Sequence, residues 1–420
     1  MVCLTSTTNT CARCAKAAVA PLACKGAAVA ATELRPLWRR SVVHAWRGLL
    51  RLLAALRRHR AHAAQAAGLL GGALAGGVAH AAPTLPEDRA DAMYHVYDGG
   101  GLKAYGPAVL VRKKLGENLS LSGSYYIDMV SNASIDVVTT ASPYKETRNE
   151  YNLGADYIVR DATISVSTSH SKEPDYIAAA TSIDIAQEVF GGMTSLSLGY
   201  TRAHDQVGRK GEGFIDNATH WRYRFGVTQI LSPSWLASLN MEAVSDDGFL
   251  GSPYRAARAF GTTVPESNPR TRSSRAVKLR VLGEVTPGNA VRAEYRYFWD
   301  TWDIKAHTTE LGYSRQIGDP WLVDWYGRYY TQNRALFYTD NAMSQTTYLS
   351  RNRQLSTFKS MSLGAKMSYT AKKVPGSYEI KLNAAFEMVR FKFADFTDVR
   401  NGKPYEHDAS IIQLFVSATF

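Results

Sequence analysis

The last nine residues of the chain, Ile412 to Phe420, carry an apolar side chain at every second position and end on an aromatic residue. In a β-strand, alternate side chains point to the same side. This segment therefore predicts a strand with one apolar face and one mostly polar face. The apolar face must pack either on a second sheet, as in a soluble sandwich, or against lipid, as in a membrane β-barrel.

The same period of two recurs from Pro83 to the carboxyl terminus, and no stretch there has the spacing of a convincing amphipathic helix. The clearest example is residues 291–299, in which charged side chains alternate with apolar and aromatic ones. Clusters of Gly, Pro, Asn and Asp, which favour turns, separate fifteen strand-like segments, and a fainter one spans Asp91 to Tyr97. Membrane barrels have an even number of strands, so we predict about sixteen, or about fourteen if two weak segments merge.

The connections between these segments alternate between short and long. The long ones are residues 131–146, 205–218, 246–274, 333–355 and 396–409. Membrane barrels have short periplasmic turns and long extracellular loops, whereas a sandwich does not sort its connections in this way. The sequence thus predicts an all-β fold, a single antiparallel transmembrane β-barrel in the cell outer membrane. Because a closed barrel has no edge strands, the last strand should pair with Asp91 to Tyr97.

Aromatic residues are expected at both lipid interfaces of such a barrel. Trp235, Trp321 and Tyr378 follow short turns, whereas Trp299, Trp302, Tyr329 and Tyr330 lie near the opposite strand ends. We predict that they form two girdles. The terminal Phe420 resembles the membrane-insertion signal that the barrel-assembly machinery reads.

Residues 1–82 are predicted to be a leader with a secretory signal peptide. They hold 11 of the 49 Lys and Arg residues, one of the 37 acidic residues and all four cysteines. The barrel region, residues 83–420, keeps 38 basic and 36 acidic side chains and gives no indication of nucleic-acid binding. A short apolar segment, residues 66–78, precedes the cleavage motif at residues 79–81. A signal of ordinary length would start near Val42, so we interpret residues 1–40 as upstream of the true start, with a long leader as the alternative.

A barrel of about sixteen strands has a lumen wide enough for an aqueous channel. Eight charged residues at predicted inward positions are candidates to line this pore: Glu242, Arg292, Glu294, Arg296, Asp324, Arg328, Lys366 and Lys381. One interpretation is an Arg-rich lining that favours anions. The alternative is that these charges pair across neighbouring strands and only keep the wall polar.

The sequence after residue 83 contains no nucleotide-binding or zinc motif and no spacing that singles out a catalytic triad. We therefore predict no catalytic residue, no cofactor and no metal site. His307 is the nearest candidate for a hydrolase acting at the rim, although a lumen or interface histidine is the simpler interpretation. Asp246, Asp247 and Glu266 lie in a predicted outer loop and could contact a divalent cation.

Several irregular stretches carry a more specific signal: residues 131–146, 87–91, 97–101, 171–176, 253–255 and 295–302. Together they closely resemble a bacterial family known as domain of unknown function 3570, over about Glu87 to Phe420. The resemblance implies a secreted outer-membrane β-barrel of Gram-negative bacteria, without a defined substrate or catalytic residue. Its members are often encoded near flavin-transferase and thioredoxin-like proteins, which implies periplasmic redox or flavin-transfer partners.

Three functions follow from these observations. The first is a non-enzymatic outer-membrane barrel that acts as a channel, or as an anchoring or export component for partner proteins. Its partners would be outer-membrane lipid, the barrel-assembly machinery and periplasmic redox or flavin-transfer proteins. The second is a rim-active outer-membrane hydrolase, and the third is a secreted soluble β-sandwich or adhesin.

Overall fold

Sixteen antiparallel strands form one closed barrel in the computed structural model, which describes residues 83–135, 144–344 and 346–420. The barrel strands are β1 (Arg89–Gly99), β2 (Leu102–Leu115), β3 (Leu119–Asn132), β4 (Tyr144–Val159), β5 (Ala162–Lys172), β6 (Tyr176–Val189), β7 (Thr194–Arg209), β8 (Phe214–Ser232), β9 (Trp235–Gly248), β12 (Thr271–Thr286), β13 (Asn289–Asp300), β14 (Lys305–Ile317), β15 (Trp321–Gln332), β16 (Phe358–Val374), β17 (Tyr378–Asp398) and β18 (Lys403–Thr419). This confirms the prediction of an all-β barrel of sixteen strands, and it excludes fourteen strands and a two-sheet sandwich. The predicted leader and cleavage motif lie outside the described residues.

Two smaller elements lie in the loops. Strands β10 (Ala256–Ala259) and β11 (Thr262–Pro265) form a hairpin outside the barrel, and residues Arg353–Leu355 form one turn of 3-10 helix. No helix in the described part of the chain has the length and apolarity needed to cross a membrane.

The barrel closes where its first and last strands meet. Strand β1 pairs with β18 along its whole length, from Arg89 opposite Thr419 to Gly99 opposite Ala409. The predicted pairing of the terminal strand with Asp91 to Tyr97 is therefore confirmed. The backbone amide of Phe420 also donates a hydrogen bond to the Asp88 carbonyl at 3.1 Å, so the two ends of the barrel sequence are joined directly.

The two faces of the wall differ in polarity along most of the strands. Large apolar side chains such as Leu198, Leu311, Leu363 and Leu414 are exposed on the outer face. Charged and hydroxyl side chains occupy the alternate, inward positions, in line with the period of two. An apolar surface that surrounds a whole protein is compatible with lipid and not with water, so the strands span a membrane.

The ends of the barrel are distinguished by their connections. At one end, called the turn end, seven connections of two to four residues lie beside the first and last residues of the barrel. At the other, called the loop end, the long connections are residues 133–143, 249–270 and 333–357. Two predicted long loops are wrong: β7 runs to Arg209 before β8 begins at Phe214, and β17 runs to Asp398 before β18 begins at Lys403. Backbone pairing there continues beyond the segment in which alternation was visible.

The predicted aromatic girdles are correct only in part. Trp235, Trp321 and Tyr329 are exposed on the outer face. Trp302, in contrast, is buried, and its indole Nε1 donates a hydrogen bond to the Thr271 carbonyl at 3.0 Å. Tyr330 lies on the inner face, where its hydroxyl donates to Gln332 at 2.5 Å. Both residues have the sequence parity of the inward positions of their strands, Trp302 with Arg296 and Tyr330 with Arg328, so the period of two places them opposite to Trp299 and Tyr329.

The connections at the loop end pack on one another rather than extending into solvent. Trp302, Tyr338, Phe396 and other buried side chains form a hydrophobic cluster between the 333–357 loop and the upper ends of the strands. Arg351 is also buried there, where its Nε donates to Asp340 Oδ1 at 2.7 Å and its guanidinium lies 4.4 Å from the centre of the Phe396 ring. The loops thus cover part of the mouth with a fixed structure.

Candidate functional site

Acidic side chains line the inner face of strands β3 to β9 near the loop end. We call this set the acidic rim: Asp128, Glu146, Glu150, Glu173, Asp175, Asp205 and Asp246. In the described part of the chain, the side chains that form ion pairs with them are Arg148, His95 and His220. The rim therefore has an excess of negative charge.

The first part of the rim lies near the barrel closure. His95 Nε2 lies 2.6 Å from Asp128 Oδ1 and 2.8 Å from the Tyr126 hydroxyl, and the His95 and Tyr126 rings are stacked. Arg148 Nη2 lies 3.1 Å from the second Asp128 oxygen and 3.6 Å from Glu150. Asp128 and His95 are buried, so this group is a closed network that fixes β1, β3 and β4 to one another.

The last part of the rim is a chain of polar contacts across β6 to β9. The Tyr176 hydroxyl donates a hydrogen bond to Asp205. His220 Nε2 lies 3.1 Å from Asp205, and its Nδ1 lies 2.7 Å from Asp246. The imidazole is thus held between two carboxylates, and these four side chains leave a net negative group at the mouth even when His220 is protonated.

Three carboxylates lie between these two parts. Glu146 is on β4, whereas Glu173 and Asp175 are in the turn between β5 and β6, and their oxygens lie within 4.8 Å of one another. The Tyr254 hydroxyl, from the long loop after β9, donates a hydrogen bond to Asp175. Burial and the neighbouring Glu146 raise the pKa of Glu173 to about 8. The cluster is therefore joined to an outer loop through the Tyr254 hydroxyl.

The eight residues predicted to line a pore are all on the inner face, where seven of them form ion pairs within a strand or with a strand one or two positions away. Arg292 lies 3.1 Å from Glu310 and 3.8 Å from Glu294, and Arg328 lies 2.8 Å from Glu310. Asp324 lies 3.7 Å from Arg292. This is the pairing alternative raised by the sequence, and these charges leave little net positive charge on that part of the wall.

The other four predicted residues are less enclosed. Glu242 lies 3.6 Å from Arg222 and 4.0 Å from Arg296, with about a third of each side chain exposed. Lys381 lies 2.9 Å from Glu379, and Lys366 lies over the Phe415 ring at 5.2 Å. That any of them borders a conducting path is still a prediction. The same holds for the insertion signal at Phe420, which is half-exposed at the turn end.

Two inner-face glycines allow polar side chains to reach across a strand. Tyr326 on β15 lies over Gly364 of β16, and its hydroxyl donates to Glu387 of β17 at 2.8 Å. A Cβ at Gly364 would come within 2.3 Å of the Tyr326 ring. Arg224 passes Gly199 in the same way to reach Asp184, at 2.8 Å. Each contact ties together three successive strands.

The candidates for other chemistry lie elsewhere. His307 is on the outer face, where its Nδ1 lies 2.7 Å from the Tyr295 hydroxyl and its ring contacts Tyr297. Its contacts are those of an interface histidine, which was the simpler interpretation. Glu266 accepts a hydrogen bond from Ser350 at 3.0 Å, so it joins two outer loops. Asp246 belongs to the contact with His220.

Sequence reasoning missed His95, Glu173, Asp175 and Tyr254 as members of one site. Two of the stretches that carry the family resemblance, residues 171–176 and 253–255, meet in the cluster around Asp175. The sequence feature that could have predicted this site is that both stretches are irregular and both lie at the loop end of a strand.

A family model described as protein of unknown function (DUF3570) matches residues 131–219 and 211–388, more than half of the 420 residues. The chain belongs to this family. The resemblance seen in the sequence is thereby confirmed. No curated protein matches the DUF3570 chain.

Several solved membrane-barrel structures are similar to this DUF3570 barrel at low identity. A bacterial polysaccharide outer membrane secretin is 7% identical, covering 80% of this chain and 100% of its own, with a TM-score of 0.47. The outer membrane protein opdK from Pseudomonas aeruginosa is 8% identical, with coverages of 80% and 100% and a TM-score of 0.40. The siderophore receptor PirA from Pseudomonas aeruginosa is 8% identical, with coverages of 79% and 81% and a TM-score of 0.40. No functional inference rests on likenesses this distant.

Proposed function

We propose that this DUF3570 protein is a non-enzymatic channel of the outer membrane whose acidic rim selects small cationic solutes. The observation that carries the proposal is the contrast between the enclosed and the open parts of the inner wall. Side chains of the Arg292–Glu310 pair are about 10% exposed, whereas those of the Arg222–Glu242 pair are 33% and 36% exposed. Ionic side chains this exposed on an inner face border space that water can enter.

Selectivity in this proposal comes from the mouth and not from the wall. The arginines of β12 to β15 are compensated by acids of neighbouring strands, so they do not attract anions strongly. The acidic rim has fewer cationic partners than carboxylates, and rings of carboxylates favour cations in membrane pores. The packed outer loops narrow the mouth, which brings solutes close to these carboxylates.

Current recordings of the refolded protein in planar bilayers test the proposal. Under a salt gradient, the reversal potential should indicate cation preference. Replacing Asp205 and Asp246 together by Asn should move it toward the unselective value, because two carboxylates are removed from the mouth. Glu406→Gln is the matched control, because this carboxylate is exposed on the outer face of β18. Anion preference, or the same potential in wild type and the double variant, would contradict the selectivity.

Absence of conductance in any salt would remove the channel and leave the anchoring or export role. Proteins that co-purify with the detergent-extracted barrel, including periplasmic redox or flavin-transfer proteins, would then test that role. The location itself is tested separately by membrane fractionation and by heat-modifiable migration on a gel. Recovery of the chain from cells without detergent would contradict an outer-membrane location.

A further inference from the structure

We propose that Glu146, Glu173 and Asp175 form a binding site for a divalent metal ion that prefers oxygen ligands, with Ca²⁺ as the best fit. The site lies at the rim between β4 and the turn that joins β5 to β6. Binding of the ion does not depend on whether the lumen conducts. The inference therefore stands apart from the proposed channel function.

The first observation is the state of Glu173. The residue is only 8% exposed, and no group in the described ranges donates a hydrogen bond to its carboxylate. A buried carboxylate without a donor is costly, and such groups are normally paired or bound to a metal. Its oxygens lie among those of Glu146 and Asp175, so the unpartnered group is directed into the cluster.

The second observation is the spacing of the ligand atoms. Oxygens of all three side chains lie within 4.8 Å of one another. Calcium binds oxygen at about 2.3–2.6 Å, so ligand atoms around one ion are separated by at most about 5.2 Å, and the cluster fits within this limit. Magnesium usually keeps several waters and is rarely held by a cage of protein carboxylates, which favours calcium for three such ligands. The three carboxylates include no sulfur or imidazole ligand, which disfavours the softer transition metals.

The third observation is that the backbone of the turn is already fixed. The Glu173 amide donates to the Tyr176 carbonyl at 2.7 Å, and the Gly208 amide donates to the Asp175 carbonyl at 2.6 Å. The Tyr254 hydroxyl holds the Asp175 side chain from the outer loop. These contacts reduce the ordering that binding would require. A bound ion would also attach the loop that carries Tyr254 more firmly to the wall.

Bound protons are the alternative to a metal ion for neutralising the charge of these three carboxylates. Three ionised carboxylates whose oxygens lie within 4.8 Å of one another repel each other. An ion with two positive charges removes this repulsion and needs all three groups ionised. The test is carried out near neutral pH, where Tb³⁺ remains in solution.

The experiment is a titration of the full-length refolded protein with Tb³⁺, a luminescent substitute for Ca²⁺. Tyr254 lies against the cluster and should sensitise Tb³⁺ emission when excited. We expect one ion per chain and displacement by Ca²⁺ added in excess. Glu173→Gln and Glu146→Gln should each weaken binding roughly tenfold or more, because each removes one charged ligand.

Glu406→Gln controls for the loss of one carboxylate at a site outside the lumen, and it should bind as wild type does. Heat-modifiable migration establishes that each variant is folded before it is titrated. Absence of sensitised emission in the folded wild type would overturn the proposal. Equal affinity in wild type and both cluster variants would also overturn it, because the ion would then be bound elsewhere.

Discussion

The carboxylate of Glu310 is expected to contribute strongly to the stability of the barrel. It accepts hydrogen bonds from Nη2 of Arg292 at 3.1 Å and from Nε of Arg328 at 2.9 Å, and the residue is 7% exposed. Glu310→Gln removes the charge that both arginines share. The contacts that remain are longer: 3.7 Å from Arg292 to Asp324, 3.8 Å from Arg292 to Glu294, and 3.6 Å from Arg328 to Glu387.

The size of the effect follows from this geometry. Removing one partner of a buried ion pair costs about 3–5 kcal/mol, because the other charge is left without compensation. The remaining contacts place the loss for Glu310→Gln at the lower end, about 3 kcal/mol, or roughly 150-fold in the folding equilibrium constant. A double-mutant cycle with Arg328→Gln should show coupling of about 1 kcal/mol or more, since the two groups are in direct contact.

Denaturant unfolding of the refolded protein in detergent micelles measures these free energies by linear extrapolation. Glu406→Gln is the control, because Arg390 and Glu406 lie 3.5 Å apart with more than half of each side chain exposed. Exposed pairs contribute little, so this variant should unfold as wild type does. If Glu310→Gln also unfolds as wild type does, water solvates each charge of the inner wall separately. That result would refute the conclusion that the arginines and acids of the wall neutralise one another.

Two further perturbations test other contacts of the wall. Gly364→Ala should reduce stability by about 1–3 kcal/mol, because the new Cβ overlaps the Tyr326 ring. At Gly327 a new Cβ meets mainly the flexible end of a leucine side chain, so Gly327→Ala should cost less than about 1 kcal/mol. Denaturant unfolding of both variants measures the difference, and equal losses would contradict the role of the crossing tyrosine. Hydrogen bonds and the charge of Lys113 lower the pKa of Asp88. The ionised Asp88 carboxylate therefore stabilises the fold above the ordinary carboxyl pKa, and this stabilisation is lost as the pH falls through the lowered value. Asp88→Asn should flatten this acid dependence in unfolding curves, and an unchanged profile would assign it to other groups.

The sequence predicted the barrel well because lipid imposes the pattern that was visible. Strands β13 and β18 meet lipid over most of their length, so their outward positions are apolar and their inward positions polar. Beyond the membrane both faces meet water or loops, and the alternation disappears although backbone pairing continues. The ends of β7 and β17 are of this kind, which explains why residues 205–209 and 396–398 were predicted to be loop.

The site was harder to predict because register, and not spacing, brings its members together. Glu146 and Glu173 are separated by a complete hairpin, and Tyr254 enters from a third connection. A one-residue shift in any of these strands would turn the side chains to the opposite face. Periodicity identified which residues point inward, but the choice of partner depends on registers that one sequence does not define.

In the proposed channel, the distribution of charge along the lumen limits where one solute can be distinguished from another. An arginine whose charge is balanced by Glu310 or Glu294 attracts distant anions and cations about equally. The carboxylates of the rim have fewer cationic partners than charges, and three of them have no ion pair in the part of the chain that the structure describes. They also lie where the packed loops restrict access. In the proposed channel, discrimination by charge therefore belongs to the loop end, and variation in the 333–357 loop should change the size of admitted solutes without changing the preferred sign.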